Sequence, residues 1–257
     1  MLLATWNVNS IRARKDRAVA WIQRHQPAIL CLQELKADQE TFDAMMFEDL
    51  GYYVAANCQK TYNGVAILSK SPLEDVDIGL GDGEEDPQAR LVAATVDGIR
   101  VVNVYVPNGQ SVGSEKFAYK LRWLERLQRY LETRCDPTQQ LAVCGDFNIA
   151  PEARDVHDPD FWEKETLFHP DVREALQRLM RWGLVDAFRL HNDAAGVYSW
   201  WDYRMLGFPK NRGLRIDLIL TTPSLADRIQ GSFIDREERK GKLPSDHAPV
   251  VVQIAPG

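Results

Sequence analysis

The acidic and amide side chains that could do chemistry sit at the ends of apolar runs. Asn7 follows Leu2 to Trp6, Glu34 closes the segment begun by Ala28 to Leu32, and Asp146 and Asn148 follow Leu141 to Cys144. Asp217 interrupts the run Leu214 to Leu220, and Asp246-His247 precede the run Val250 to Ile254. Ends of rigid elements can hold side chains in convergent geometry. Asp146 and Asn148 are two residues apart, so an extended Gly145–Asn148 puts both on one face. The carboxylate can then accept a proton or bind a cation while the amide orients a water or an oxygen. Taken alone, Asp-x-Asn more often marks a turn closed by an Asx bond, and Glu34 alone reads as a solvated strand end.

Asp217 is harder to read as ordinary surface. A carboxylate flanked by Leu214, Ile216, Leu218, Ile219 and Leu220 needs a partner, because burying an unpaired charge is costly. Arg215 lies on the other face of an extended strand, so the partner comes from elsewhere, and His247 is the candidate. Ser245-Asp246-His247 cannot form a serine triad among themselves, since consecutive extended residues face alternate sides. The expected arrangement has Asp217 orienting the His247 ring and Asp246 facing a metal or its waters. Carboxylates and amides without zinc-spaced thiolates or histidines favour a hard divalent ion such as Mg²⁺, with Mn²⁺ as substitute. Mg²⁺ binds through one or two carboxylates plus substrate phosphate, so a phosphoester substrate follows.

The elements that must position these groups are short β-branched runs: Leu2 to Trp6, Ala28 to Leu32, Val65 to Leu68, Leu91 to Val96, Val101 to Val106, Leu141 to Cys144, Ile216 to Leu220 and Val250 to Ile254. Weak polar alternation predicts strands covered on both faces. Helical spacing runs from Ser114 as N-cap to about Arg134, with Phe117, Leu121, Leu124, Leu127 and Leu131 on one face. Two more helices are expected at about Lys15 to His25 and at Asp171 to Trp182, the latter stopped by Gly183. The composition is α/β, and no repeat or linker divides residues 1–257, so one domain is expected. No basic leader precedes a long apolar core and no run reaches membrane-spanning length. Cys31, Cys58, Cys135 and Cys144 form no C-x-x-C pair, which fits reduced thiols in a cytoplasmic chain.

Trp6-Asn7-Val8-Asn9 with Arg12-Ala13, Leu32-Gln33-Glu34, Gly145-Asp146-Phe147-Asn148, Asn211 to Asp217 and Ser245-Asp246-His247 occur in that order along the chain. Together they resemble the exonuclease III family of apurinic/apyrimidinic (AP) endonucleases, over essentially the whole length. The resemblance implies the deoxyribonuclease-I-like endonuclease/exonuclease/phosphatase fold, a sandwich of two packed sheets flanked by helices. It implies a Mg²⁺-dependent DNA repair hydrolase that cuts 5′ to abasic sites in double-stranded DNA, with 3′-5′ exonuclease and 3′-phosphatase or phosphodiesterase activity. Carried over by position, the catalytic set is Asp146, the water-activating carboxylate, Asn148, Tyr105, His247 and Asp217. The metal set is Asn7, Glu34, Asp146, Asn148, Asp246 and His247. Trp200, Leu214 and Ile216 match the apolar pocket for a baseless sugar, which excludes a normal nucleotide by size. Arg12, Lys60, Tyr62, Asn108 and Arg212 are the DNA-contact candidates, the first four expected on loops. A monomer associated with the nucleoid through DNA, and with no membrane, completes the expectation. The alternatives are an enzyme that mainly processes 3′ ends, with Asp155 to His169 governing the balance, and an inactive DNA-binding module.

The net charge of −6 and a pI near 5.5 speak against a globally basic DNA-binding surface. Residues 73–90 alone carry an excess of six negative charges, through Glu74, Asp75, Asp77, Asp82, Glu84, Glu85 and Asp86 against Arg90. Residues 1–30 and 204–215 each carry a local excess of four positive charges. The expectation is a solvated acidic loop held away from Glu34, Asp146 and His247, with DNA gripped by the basic segments.

Overall fold

The computed structural model of the chain describes residues 1–256, and each of the eight apolar runs in it is a strand. In chain order the strands are β1 (Leu2–Asn7), β2 (Ile29–Gln33), β3 (Tyr53–Asn57), β4 (Val65–Ser69), β5 (Glu74–Ile78), β6 (Leu91–Val96) and β7 (Ile99–Tyr105), followed by β8 (Leu141–Asp146), β9 (Val185–Asp186), β10 (Trp200–Trp201), β11 (Gly213–Leu214), β12 (Asp217–Thr221), β13 (Ile229–Ile234) and β14 (Val250–Ile254). The helices are α1 (Ile11–His25), α2 (Met45–Glu48), α3 (Glu115–Arg134), α4 (Pro159–Trp162), α5 (Pro170–Gly183) and α6 (Pro223–Ala226). One sheet has the order β13-β14-β1-β2-β4-β3 and the other β5-β6-β7-β8-β12-β9, with β10-β11 as a separate pair.

Strand side chains alternate between two apolar destinations, which is why the runs lack polar alternation. Ile29 and Cys31 of β2, Ala142 and Cys144 of β8, and Val250 and Val252 of β14 meet between the sheets. Leu30, Leu32 and Val251 turn outward to Trp21 and Ile22 of α1. Leu141, Val143, Leu218 and Leu220 turn outward to Leu124, Leu127, Leu176 and Leu179 of α3 and α5. The result is an α/β sandwich of two six-stranded sheets flanked by helices. Cys31 and Cys144 face each other across the seam with sulfurs 3.3 Å apart, as free thiols. Among the described residues, no helix is long and apolar enough to cross a membrane.

A buried polar link registers one sheet on the other. Gln33 Nε2 donates to Asn103 Oδ1 at 2.8 Å, while Asn103 Nδ2 donates to the carbonyls of Leu32 (2.9 Å) and Ala66 (2.8 Å). Leu32 and Ala66 are register partners in β2 and β4, so the Asn103 amide from the second sheet is seated on a paired rung of the first.

Four expectations need correction. α1 begins at Ile11, capped by Ser10, so Arg12 lies in its first turn rather than on a loop. On α3 the buried stripe includes Lys120, while Leu121 is only partly buried. The acidic segment is not a free loop: Glu74–Ile78 is an edge strand, Asp77 pairs with Arg100 and Arg134, and Asp82 and Asp86 pair with Arg126. Its far end also comes near the cleft beside Tyr105, since Tyr119 donates to Asp86 and lines that cleft. The basic run 204–215 is weaker than its count, because Arg215 is fully buried on Asp155 and Asp186 and Arg204 pairs with Asp202.

Gly145 immediately precedes the last residue of β8 and has φ of +145°. A Cβ there would stand 1.9 Å from the Val104 carbonyl oxygen on the neighbouring strand, leaving no space for alanine. Gly145→Ala is expected to destabilise the fold by roughly 3 kcal/mol or more, read as a lowered urea midpoint.

Candidate active site

Strand register brings the chemistry to one end of the sandwich. Asn7 at the end of β1 is paired with Gln33, the residue before Glu34. In the other sheet Asp146 ends β8 beside Tyr105 of the parallel β7 and opposite Asp217 of the antiparallel β12. His247 reaches this end through a bridge to Trp200. Ligand atoms of Glu34, Asp146 and His247 all lie within 4.8 Å of one another.

Asn7 ties the two sheets together at this point. Its Nδ2 donates to Glu34 Oε1 at 2.8 Å and to Asp146 Oδ2 at 2.9 Å, while its Oδ1 accepts from the Asn9 N–H. The side chain therefore holds two carboxylates close together and spends its own oxygen on the backbone. Glu34 sits in the left-handed region, φ +52°, and Lys36 Nζ is 2.8 Å from its second oxygen. Asp246 lies to one side, accepting from Asn9 Nδ2 (2.9 Å) and Trp200 Nε1 (3.0 Å), outside the tight Glu34–Asp146–His247 group.

His247 is held by Asp217, as its residue type and place suggested. Nδ1 lies 2.8 Å from Asp217 Oδ2, which also accepts from Ser199 Oγ at 2.7 Å. Nε2 is 3.7 Å from Asp146 Oδ2, too long for a hydrogen bond, so that N–H remains free for an added acceptor. Burial opposes the ring's charge, but the Asp217 and Asp146 carboxylates overcome it and push the His247 pKa up to about 10. An imidazolium carries protons on both nitrogens, so in that form His247 Nε2 can donate to an oxyanion. Burial raises Asp146 to about 7, with His247 opposing, Asp217 adding to the rise and Asn7 resisting it. Burial, then Glu34 and Asp146, holds Tyr105 well above its ordinary value, so it stays a phenol and a donor. Despite burial, the His247 charge and the bonds from Trp200 and Asn9 hold Asp246 below the usual carboxylate range.

Asn148 is not extended. It lies at φ +49° and closes an Asx turn, its N–H donating to Asp146 Oδ1 at 2.9 Å. Its Nδ2 donates to the Val106 carbonyl at 2.9 Å, and its Oδ1 accepts from Asn108 Nδ2 at 3.1 Å. The carboxamide oxygen thus accepts one bond from protein, while the backbone N–H holds the Asp146 carboxylate. The donor set fits a hard divalent ion. Glu34, Asp146, Asp217 and Asp246 stand against the Lys36 and His247 cations, an excess of two negative charges once Asp146 is ionised, and oxygen ligands are the kind such ions take.

The sugar-pocket candidates form a packed group. Leu214 and Ile216 are buried with Ala150, Val156, Leu167 and Phe168, and the partly exposed members are Trp200 and Trp162, edge to face at 6.2 Å. The wall turned to solvent is therefore two tryptophans, of which Trp162 comes from the segment Asp155 to His169. Tyr62 and Asn108 line an 810 Å³ cleft with Tyr105, Arg90 and Lys116. Lys60 is exposed and 3.9 Å from Asp38; Arg12 and Arg212 are exposed and, among the described residues, in no ion pair. The larger cavity, about 1000 Å³ between β3 and β5, contains none of these residues. Ser199, Asn9, Lys36 and Lys120 belong to the site's hydrogen-bond network and were missed from sequence. Lys120 alone left a signal, a charge on an apolar helical stripe.

Residues 4–247 match the Endonuclease/Exonuclease/phosphatase family. The chain is 38% identical over 262 residues to the exodeoxyribonuclease III of Haemophilus influenzae, across 97% of this chain and 98% of that protein. An AP endonuclease from Archaeoglobus fulgidus is similar in structure, with a TM-score of 0.96 at 41% identity and 99% of both chains covered. A 3′ phosphatase from Neisseria, solved with a product DNA hairpin, gives 0.94 at 41% identity, again over 99% of both chains.

Removing the Asp217 charge takes away the largest favourable influence on the imidazolium. Asp217→Asn is expected to lower the His247 pKa by about a unit or more, read from the ring resonances in an NMR pH titration; an unchanged value means the ring is charged for another reason.

Proposed function

Because the chain belongs to the Endonuclease/Exonuclease/phosphatase family, in its exonuclease III and AP endonuclease branch, we propose that this nuclease cleaves the phosphodiester 5′ to abasic sites in double-stranded DNA. We further assign it 3′-5′ exonuclease and 3′-phosphatase or phosphodiesterase activity on blocked 3′ ends, acting as a one-domain monomer. The observation that carries the reading is the convergence of Glu34, Asp146 and His247 within 4.8 Å at the strand ends, with Asp217 bonded behind the His247 ring. Exposed Arg12, Lys60, Tyr62, Asn108 and Arg212 are the DNA contacts in this reading.

The reaction is in-line attack of water on phosphorus: the new P–O bond forms as the P–O3′ bond breaks, and the departing 3′-oxygen takes a proton from solvent to leave a 3′-hydroxyl and a 5′-phosphate. Asp146, near neutrality in its proton affinity, takes the water's proton, and Asn148 holds that carboxylate through the Asx turn. His247 donates its free Nε2–H to a phosphoryl oxygen as negative charge grows there, with Asp217 fixing the ring. Tyr105 donates its hydroxyl to another phosphoryl oxygen. Asn7 keeps Glu34 and Asp146 at a fixed separation. Glu34 and Asp146, with Asp246 at their margin, would hold Mg²⁺ or Mn²⁺, which when bound supplies positive charge to phosphoryl oxygens.

A second reading has an observation in its favour. Leu214 and Ile216 are 0% and 1% exposed, so the sugar pocket is filled by its own walls, which suits an enzyme that acts mainly on 3′ termini. Relative rates on an abasic duplex and on a nicked duplex with a 3′-phosphate separate the two.

Cleavage of the synthetic abasic duplex is expected to stop in EDTA and return with Mg²⁺, and Asp146→Asn to lose about 100-fold or more in kcat while remaining folded. Near-normal cleavage by that variant excludes Asp146 as the base. With Asp146 required ionised and His247 required protonated, kcat/KM is expected to rise as pH passes about 7 and to fall towards about 10. Histidine replacement by glutamine should remove the alkaline limb.

A further inference from the structure

The mechanism leaves one buried lysine without a part. Lys120 is fully buried on the inner face of α3, in line with Phe117, Leu124 and Leu127. Packing alone would be met by leucine at this position. Instead the amine is carried into the interior, where burial pushes its pKa down to about 7 against the pull of the Asp146 carboxylate, and its charged form is costly unless hydrogen bonds compensate. They do: Nζ lies on the carbonyls of Asn148 at 2.6 Å, Thr166 at 2.9 Å and Asn108 at 3.2 Å, which matches the three N–H groups of its charged form.

The three acceptors come from three segments that border the site. Asn108 follows β7 and donates its amide to Asn148. Asn148 follows β8, and its left-handed backbone makes the turn that holds Asp146. Thr166 belongs to the strand-to-helix connection that folds back on Ala150, where Ala150 N–H meets the Leu167 carbonyl at 2.8 Å. Gly109 completes the fit. It has φ of +92°, and a Cβ there would stand 3.1 Å from Lys120 Cδ, so the chain passes close against the lysine stem.

We propose that Lys120 is a positioning residue: by binding three main-chain carbonyls from one ammonium it fixes the Asn148 peptide, and through Asn148 it sets the Asp146 carboxylate and the Asn108 amide. The proposal rests on the reading of Asp146 as the water-activating base. It predicts that Lys120 and Asn148 act as one unit, whereas a lysine that only supports the fold would act independently of Asn148.

The test compares Lys120→Met, Lys120→Arg and Asn148→Ala singly and combined, at a temperature where each protein is folded by circular dichroism. Lys120→Met is expected to lower kcat about tenfold or more with KM within about twofold, because positioning is lost and ground-state binding is not. In the Asn148→Ala background the same substitution should change kcat by less than about twofold, and Lys120→Arg, which keeps the charge, should recover part of the loss. An unchanged kcat in Lys120→Met, or losses that multiply in the double variant, overturns the proposal. If Lys120→Met does not fold, Lys120→Arg is read alone: lowered kcat at unchanged KM supports positioning, and wild-type kcat overturns it. A readout without substrate separates this from the catalytic reading. Slow exchange of the Asn148 side-chain amide protons in NMR should be lost in the Lys120 variants while the β8 amides stay protected, and retention of that slow exchange overturns the proposal. Should the wild type cut no DNA, the role of Asp146 falls, and the exchange measurement still decides that of Lys120.

Discussion

Two carboxylates buried at the seam of two sheets are tolerated because one imidazolium stands between them. Asp146 and Asp217 are register partners on adjacent antiparallel strands, and like charges so placed would repel strongly in a low-dielectric interior. His247, bonded to one and 3.7 Å from the other, converts that repulsion into attraction. The consequences spread outward. The ring keeps its proton, and Asp146 is left poised between charged and neutral. Ser199 then has a defined job, because its hydroxyl accepts from two backbone N–H groups and donates its own O–H to Asp217.

A second buried ion cluster stands behind the pocket wall. Arg215 lies between Leu214 and Ile216 and binds Asp155 and Asp186, and Arg189 also pairs with Asp155. Its effect is mechanical: the turn at Asp155 is locked to the strand that carries the pocket residues. Breaking such a cluster by removing one member leaves an uncompensated buried charge, which is far more costly than exchanging a surface pair. In the proposed function, affinity for DNA comes from the arginines and lysines left free on the surface, and fewer of these remain than the charge count along the chain suggests.

Most of the frame was legible because interior strands are apolar on both faces. Every buried strand of five residues or more announced itself, as did the Ser114 cap of α3. What stayed hidden were the edge strands β3, β5, β9 and β13 and the two-residue strands β10 and β11; exposed and polar positions such as Glu74, Asp75 and Gln230 blur the pattern of the longer ones. Among site residues, the carboxylates and His247 stood out as charges where apolar residues were expected. Asn9 and Lys36 did not, since a polar residue just past a strand looks like any loop until its partner is known. Arg215 misled for the same reason: its partners, Asp155 and Asp186, are 60 and 29 residues away. Lys120 was missed through a choice of one residue in the helical stripe.

The Gln33–Asn103 link lies one residue behind Glu34 and two behind Tyr105, and it bonds one sheet to a specific rung of the other. The groups that must converge are thus hung from two separately hydrogen-bonded plates, and this latch sets how far one plate can slide on the other. Gain or loss of volume in the layer around Cys31 and Cys144 acts on the same plates as a wedge on a hinge. Core substitutions that leave the melting temperature almost unaltered can still shear the Glu34 side of the site past the Asp146 side. For this architecture, the latitude of the interior to drift in sequence is bounded by catalytic alignment sooner than by folding.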